Sequence, residues 1–236
     1  MVCRAIITAA ALFAVLPAAP ALADGAHHGP RHTVGRGTST NWSGYAVPGT
    51  GATHVIGTWT QPSVTCAPRE NSWSSPWVGI DGDTSGTVEQ IGTDSDCQNG
   101  TPVYYAWYEM YPKFPVNLSL AIKPGDTVSA SVTTGGRGSF TLTIRDTTTG
   151  GSFTTTQKLK NAKLGSAEVI AEAPSSGGVL PLANFGTVGF SAATVNGKSI
   201  GSFNPDRIDM VSGTTTKATT SALSAGTAFS VKWNHA

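Results

Sequence analysis

Carboxylates, amides and indoles are the chemical material of this sequence, and they gather in a few short runs. WVGIDGDTSGTVEQIGTD carries Trp77, Asp81, Asp83, Glu89, Gln90 and Asp94, and YYAWYEMYP carries Tyr105, Trp107, Glu109 and Tyr111. AEVIAE places Glu168 and Glu172 four residues apart, and strand alternation sends both to one face. By the same rule Tyr105, Trp107, Glu109 and Tyr111 share a face. A carboxylate flanked by rings fits an aromatic-lined groove, and it equally fits a solvated face with aromatic cross-strand pairs. Trp42, Trp59 and Trp73 read as groove or core. The sequence holds no serine elbow, no HExxH and no glycine-rich phosphate loop. His54 lies in a strand-like run and His235 at the end, which leaves little for histidine-assisted acyl transfer. Carboxylates with amides suit two reactions. Paired carboxylates cleave glycosidic bonds. One carboxylate activating water, beside an amide N–H that receives an oxyanion, cleaves peptide bonds. Composition leaves both open.

The elements that must position these groups are strands. Past Asn41 the chain is a series of short runs rich in Val, Ile, Thr, Tyr, Phe and Trp, among them NWSGYAV, THVIGTWTQ, SSPWVGI, TVEQIG, VNLSLAI, TVSASVTT, SFTLTIRD, SFTTTQKL, TVGFSAATV, RIDMVS and FSVKWN. Turn signals fall between them, as at Pro124-Gly125-Asp126 and in GGRG, TTGG and SSGG. Strands at roughly ten-residue spacing without a helical stripe predict an antiparallel all-β sandwich or barrel. No linker divides the chain, and one domain over 41–236 is expected.

The N-terminus reads differently. Arg4, the apolar run IITAAALFAVLPAAP and Ala21-Leu22-Ala23 have the pattern of a secretory signal peptide over 1–23, so the mature protein is expected outside the cell and off the membrane. Residues 24–40, DGAHHGPRHTVGRGTST, lack large apolar side chains and read as a flexible arm or short propeptide. Lys and Arg number 15 against 14 Asp and Glu. With Arg4 removed the signs balance, which gives no support to nucleic-acid binding. Cys3 belongs to the leader; Cys66 and Cys97 remain, an even pair expected to form one disulfide in an exported chain. No metal or cofactor is called for.

NWSGYAV, WVGIDGDTSGTVEQIGTD, YYAWYEMYP and AEVIAE, in that order, resemble the glutamic peptidases, the eqolisins of peptidase family G1, in their bacterial form. The resemblance implies a sandwich of two antiparallel sheets of about seven strands, concanavalin-like or jelly-roll-like. It implies an acid endopeptidase acting on polypeptides as a monomer. It places the catalytic glutamine on Gln90 and the catalytic glutamate on Glu172. It also implies that Trp42, Trp77, Asp81, Asp94, Trp107, Glu109 and Glu168 line the groove or support the pair. One departure stands out: where the fungal pattern has Asp before AWYE, this chain has Tyr105.

Overall fold

The computed structural model describes residues 26–236, so the leader expected at 1–23 lies outside the described residues. After a short hairpin, β1 (Thr33–Gly35) and β2 (Thr38–Ser39), the chain runs through β3 (Trp42–Pro48), β4 (His54–Thr60), β5 (Ser75–Ile80), β6 (Val88–Gln98), β7 (Thr101–Tyr111) and β8 (Val116–Asn117). It continues through β9 (Thr127–Thr134), β10 (Ser139–Asp146), β11 (Ser152–Lys158), β12 (Ser166–Glu172), β13 (Thr187–Val195) and β14 (Lys198–Ser199). A single 3₁₀ turn, Ile200–Phe203, precedes β15 (Asp206–Ser212), β16 (Thr215–Thr220) and β17 (Phe229–Trp233).

These strands form two layers. One sheet has the order β15-β3-β12-β5-β6-β7-β8. The other has the order β11-β10-β9-β4-β13-β17-β16. β15 joins them: Asp206–Ile208 pair with β3, and its second half pairs with β16. Apart from the short parallel contact of β2 with β15, the strands pair antiparallel.

Alternation explains the layering. Along β9 and β10 every second side chain is buried: Val128, Ala130 and Val132 face inward beside Phe140, Leu142 and Ile144. From the other sheet Val78, Ile80, Ile91, Ala106, Met110 and Val169 enter the same core, as a half-covered antiparallel sheet requires. The alternate residues of that sheet face away from the main core and form a second, aromatic cluster of Trp42, Trp77, Tyr105, Trp107 and Ile170. Gly92 makes room for it: a Cβ there would lie 2.5 Å from the Trp77 Cβ, so only glycine lets the indole lie across β6. Cys66 and Cys97 are joined, as expected, closing a loop with a separation of 31 residues.

Candidate active site

Strand register assembles the site. Gly79 pairs with Gln90 and Gln90 with Glu109, so one rung across β5, β6 and β7 carries the glutamine and a carboxylate. On the neighbouring β12, Glu172 lies opposite Ser75 and Trp42. Gln90, Glu109 and Glu172 are fully buried. What covers them is the chain's own arm.

Residues 26–32 cross this face in extended form, and the backbone groups from His27 to Pro30 all find partners. His27 exchanges both backbone bonds with Ser175 at 2.8 and 2.9 Å. The His28 N–H donates to Glu109 Oε2 at 2.8 Å, and its carbonyl accepts from Gln90 Nε2. The Gly29 N–H donates to Glu172 Oε1 at 3.0 Å, and its carbonyl accepts from the Trp42 indole at 3.1 Å. Asn41 Nδ2 donates to the Pro30 carbonyl at 3.0 Å, and the Arg31 N–H donates to the Gly82 carbonyl at 3.0 Å. Gln90 and Glu172 therefore hold the two ends of one peptide group, the carbonyl of His28 and the N–H of Gly29. A cleft of about 290 Å³ lined by Tyr111, Ser175 and Gly178 runs beside the arm. A larger hollow of about 530 Å³ lies at Thr215, Thr219 and His235 and contains no carboxylate, so size does not mark the chemistry here.

The electrostatics are those of a buried carboxylate under several donors. Glu172 also accepts from the Trp77 indole at 2.8 Å and from Asn41 at 3.3 Å. Burial beneath the arm pushes it up to about 8, while the His28 charge and the Gly29 N–H oppose the rise. Its three partners are N–H donors, so the surrounding groups are arranged for the ionised form, which exposure to water further favours.

His28 occupies a pocket of its own. Its ring stacks on Trp107 with centroids 3.6 Å apart and 5° between planes. Nε2 lies 2.8 Å from Ser75 Oγ and 3.3 Å from Asp94 Oδ1, and Nδ1 lies 3.3 Å from Glu109 Oε2. Burial works against the proton, but Asp94 and Glu109 outweigh it and hold the imidazole charged, up to about 10. Beneath the pocket Asp94 accepts from Ser75, from the Trp107 indole at 2.6 Å and from Tyr105 at 2.8 Å. Tyr105 also lies 2.9 Å from Asp96. Burial, then the charge of Asp94, pushes Asp96 well above the usual carboxylate range.

Of the residues singled out in the sequence, Gln90, Glu172, Trp42, Trp77, Asp94, Trp107 and Glu109 meet around the arm. Two do not touch it. Asp81 takes the backbone N–H groups of Lys163, Leu164 and Gly165 at 2.7, 3.0 and 2.8 Å, and so fixes the turn into β12. Glu168 shares the face of Glu172 but is buried, with the Ser166 hydroxyl beside it in place of the three N–H donors that Glu172 has. Burial, with Asp83, Asp81 and Glu89 nearby, raises it well above the usual range. Four participants were not anticipated: His28, Asn41, Ser75 and Asp96. Asp96 follows Asp94 at strand spacing, and that period was the available signal. Among the described residues no group of three or more His, Cys, Asp or Glu is placed to hold a metal ion, and no helix is long and apolar enough to cross a membrane.

Comparison with known proteins adds the following. The family model described as the Peptidase A4 family matches residues 40–233. Aspergillopepsin-2 of Aspergillus niger is 31% identical over 189 residues, which cover 69% of this chain and 67% of that protein. Scytalidopepsin B of Scytalidium lignicola is 35% identical over 113 residues, covering 47% and 42%. A crystal structure of scytalido-glutamic peptidase with a transition-state-analogue inhibitor matches with a TM-score of 0.70 at 28% identity, covering 83% of this chain and 98% of that one. Aspergilloglutamic peptidase from Aspergillus niger matches with a TM-score of 0.63 at 31% identity, covering 69% and 99%.

Proposed function

Starting from the fact that this chain belongs to the Peptidase A4 family and is a glutamic-type endopeptidase, we propose that it is exported and hydrolyses polypeptides in acid, with Glu172 as base and Gln90 as oxyanion donor. Glu172 takes a proton from a water that attacks the scissile carbonyl carbon. The Gln90 amide donates to the oxygen as it gains charge. Glu172 then passes the proton to the departing amine. An amide suits the second role because it donates without titrating, so acid does not disable it. A carboxylate with an ordinary value near 4.3 accepts protons in mildly acidic medium, where hydroxide is scarce. Trp77 and Asn41 orient the base, and every group in this scheme comes from one copy of the chain, as befits a monomer.

The observation that carries this reading is the peptide group between Gln90 and Glu172: a carbonyl on the amide and an N–H on the carboxylate. A polypeptide gripped through its backbone is what a protease groove binds. It is not what a sugar-cleaving pair of carboxylates would hold, nor what a non-catalytic sandwich would place over two buried polar side chains.

The test is digestion of acid-denatured protein from about pH 2 to 7 by wild type, Glu172→Gln and Gln90→Ala. Gln90→Ala is expected to lose about 10²–10³-fold in kcat, the scale for removing one oxyanion donor. Glu172→Gln is expected to lose nearly all activity. Wild-type rates from Glu172→Gln would refute the mechanism.

A further inference from the structure

The sequence is balanced in charge, but the folded surface is not. Among the described residues every Asp and Glu is buried or half-buried, whereas every Lys and Arg except Arg31 and Lys217 is exposed. Two of the half-buried carboxylates, Asp83 and Asp206, are both taken by Arg31 Nη1 at 2.7 Å. What projects into water is therefore cationic, and such a field attracts anions.

The cations are densest at one corner. The β9–β10 turn (135–138), the β11–β12 connection (159–165) and the β7–β8 turn (112–115) lie at the same end of the sandwich. Lys113 Nζ donates to the Lys158 carbonyl at 3.2 Å. The Leu159 N–H donates to the Gly138 carbonyl at 2.8 Å, and a Cβ on Gly138 would lie 2.9 Å from the Lys160 Cα, so Arg137 lies beside Lys160. Lys163 follows on the same connection, where its N–H meets Asp81. Lys113, Arg137, Lys158, Lys160 and Lys163 share this corner, and all are exposed. Asp81, Glu89 and Glu168 lie at the same end but are fully buried, so none reaches the surface to pair with them.

Two large apolar side chains stand among these cations. Phe114 is 64% exposed and Val116 44%; with Val34 they are the exposed large hydrophobic residues among those described. Phe114 follows Lys113 in the β7–β8 turn and rests one ring face on His27, with centroids 4.4 Å apart. Val116 opens the edge strand β8. Pro112 and Pro115 flank Lys113 and Phe114 and stiffen the turn. An open ring and a branched side chain encircled by lysines suit a lipid interface, where the apolar area leaves water and the ammonium groups stay at headgroup level. A dissolved polyanion would meet the charge alone and leave the ring and the valine wet. A partner bearing carboxylates would lose charge in the acid where the enzyme is proposed to work, whereas a phosphodiester keeps its own.

We propose that this corner docks the chain on a membrane surface that carries anionic phospholipid, with Phe114 and Val116 entering the interface and the lysines and Arg137 meeting headgroup phosphates. The docking is peripheral: no helix among the described residues is long and apolar enough to cross a bilayer. It gives a chain expected to stay off the membrane a surface to rest on. The corner shares no residue with the contacts of Gln90 and Glu172, so docking and catalysis can fail separately.

Co-sedimentation of the purified chain with vesicles of phosphatidylcholine, alone or with about one third phosphatidylglycerol, tests this at about pH 5. The chain should bind the anionic vesicles and not the neutral ones. It should lose most of that binding as salt rises from about 0.1 M to about 1 M and the screening length falls from about 10 Å to about 3 Å. Lys160→Gln combined with Lys163→Gln should weaken binding about 25-fold, since each basic side chain near such a surface contributes about fivefold. Phe114→Ser should weaken it at least about tenfold through lost apolar burial, with the fold of both variants checked by circular dichroism. Equal binding to neutral vesicles, or wild-type binding by either variant, overturns the proposal, because an apolar segment elsewhere in the chain would bind without regard to these residues. Retention on dissolved heparin or polyphosphate with no binding to vesicles assigns the corner to a soluble polyanion and overturns the lipid surface. Binding to none of these probes overturns docking altogether.

Discussion

Two buried glutamates outside the proposed catalytic pair make the fold itself acid-loving, and the effect can be worked from their surroundings. Glu89 and Glu168 are fully buried, and few donors stand beside them: the hydroxyl of Thr87 at Glu89 and that of Ser166 at Glu168. Asp81, beside them, accepts from three backbone N–H groups. Burial, then the charge of Asp81, pushes Glu89 from an ordinary 4.5 up to about 9, and burial raises Glu168 in the same direction. In the folded chain these carboxyls keep their protons; in the unfolded chain they lose them above about 4.5. A carboxyl raised by folding costs nothing below its unfolded value, and it removes stability as pH climbs from there toward its folded value. Each such group removes about 1.4 kcal/mol per pH unit within that window. Glu89 alone thus takes up to about 3 kcal/mol between pH 5 and 7, and Glu168 adds a term of the same sign. For a chain of this size about 3 kcal/mol corresponds to a fall in Tm of roughly 6–12 °C. Calorimetric melts at pH 5, 6 and 7 should show that fall, and Glu89→Gln should flatten the slope while keeping the acid-side Tm. A Tm that is level or rising across this range, or a slope unchanged by Glu89→Gln, would refute the reasoning.

Two further outcomes are expected. Asp96, held neutral, should tolerate Asp96→Asn with less than about 1 kcal/mol lost in urea unfolding, whereas Tyr105→Phe strips a buried donor from Asp94 and should cost about 1–3 kcal/mol; the reverse order would mean that Asp96 is the ionised member. Replacing both Cys66 and Cys97 by Ala opens a loop with a separation of 31 residues and should cost between about 3 and 4 kcal/mol in the same assay, with no change if the bridge adds nothing to folding.

The sandwich was legible wherever a strand has one wet and one dry face. TVSASVTT and SFTLTIRD alternate in sequence, and β9 and β10 alternate in burial over the same residues. VNLSLAI looked like a strand, yet only Val116–Asn117 pair. Its apolar content is used another way: Leu118 and Ile122 plug the core from a loop. TTKATT forms β16 without a hydrophobic signal, since its role is to pair with β15 and β17. β6 runs on to Gln98, through DSDCQ, a stretch too polar to read as a strand. There the polar residues are buried because each finds partners: Asp94 takes Ser75, Tyr105 and Trp107, Asp96 takes Ser74 and Tyr105, and Ser95 meets Gln61 and the Pro62 carbonyl.

The same distinction separates the legible part of the site from the hidden part. Alternation gave Glu168 and Glu172 a common face, but could not tell which of them would find donors. Trp77, Asn41 and Gly29 converge on Glu172, whereas among the described residues only the Ser166 hydroxyl stands beside Glu168. The arm was harder still. Its composition offers no apolar anchor, and its anchors are backbone groups and an imidazole meeting carboxylates far along the chain. Tyr105 shows how such a network balances. Its hydroxyl has one hydrogen and two carboxyls within reach. If it donates to Asp94, then Asp96 must carry a proton and donate to the Tyr105 oxygen, which agrees with the upward push on Asp96. Asp94 lies beneath the His28 imidazole, and Glu109 at the rim meets both His28 and, at 2.7 Å, His27 Nδ1. The tyrosine that stands where the fungal pattern has Asp therefore does not empty the acidic network: its hydroxyl ties Asp94 to Asp96.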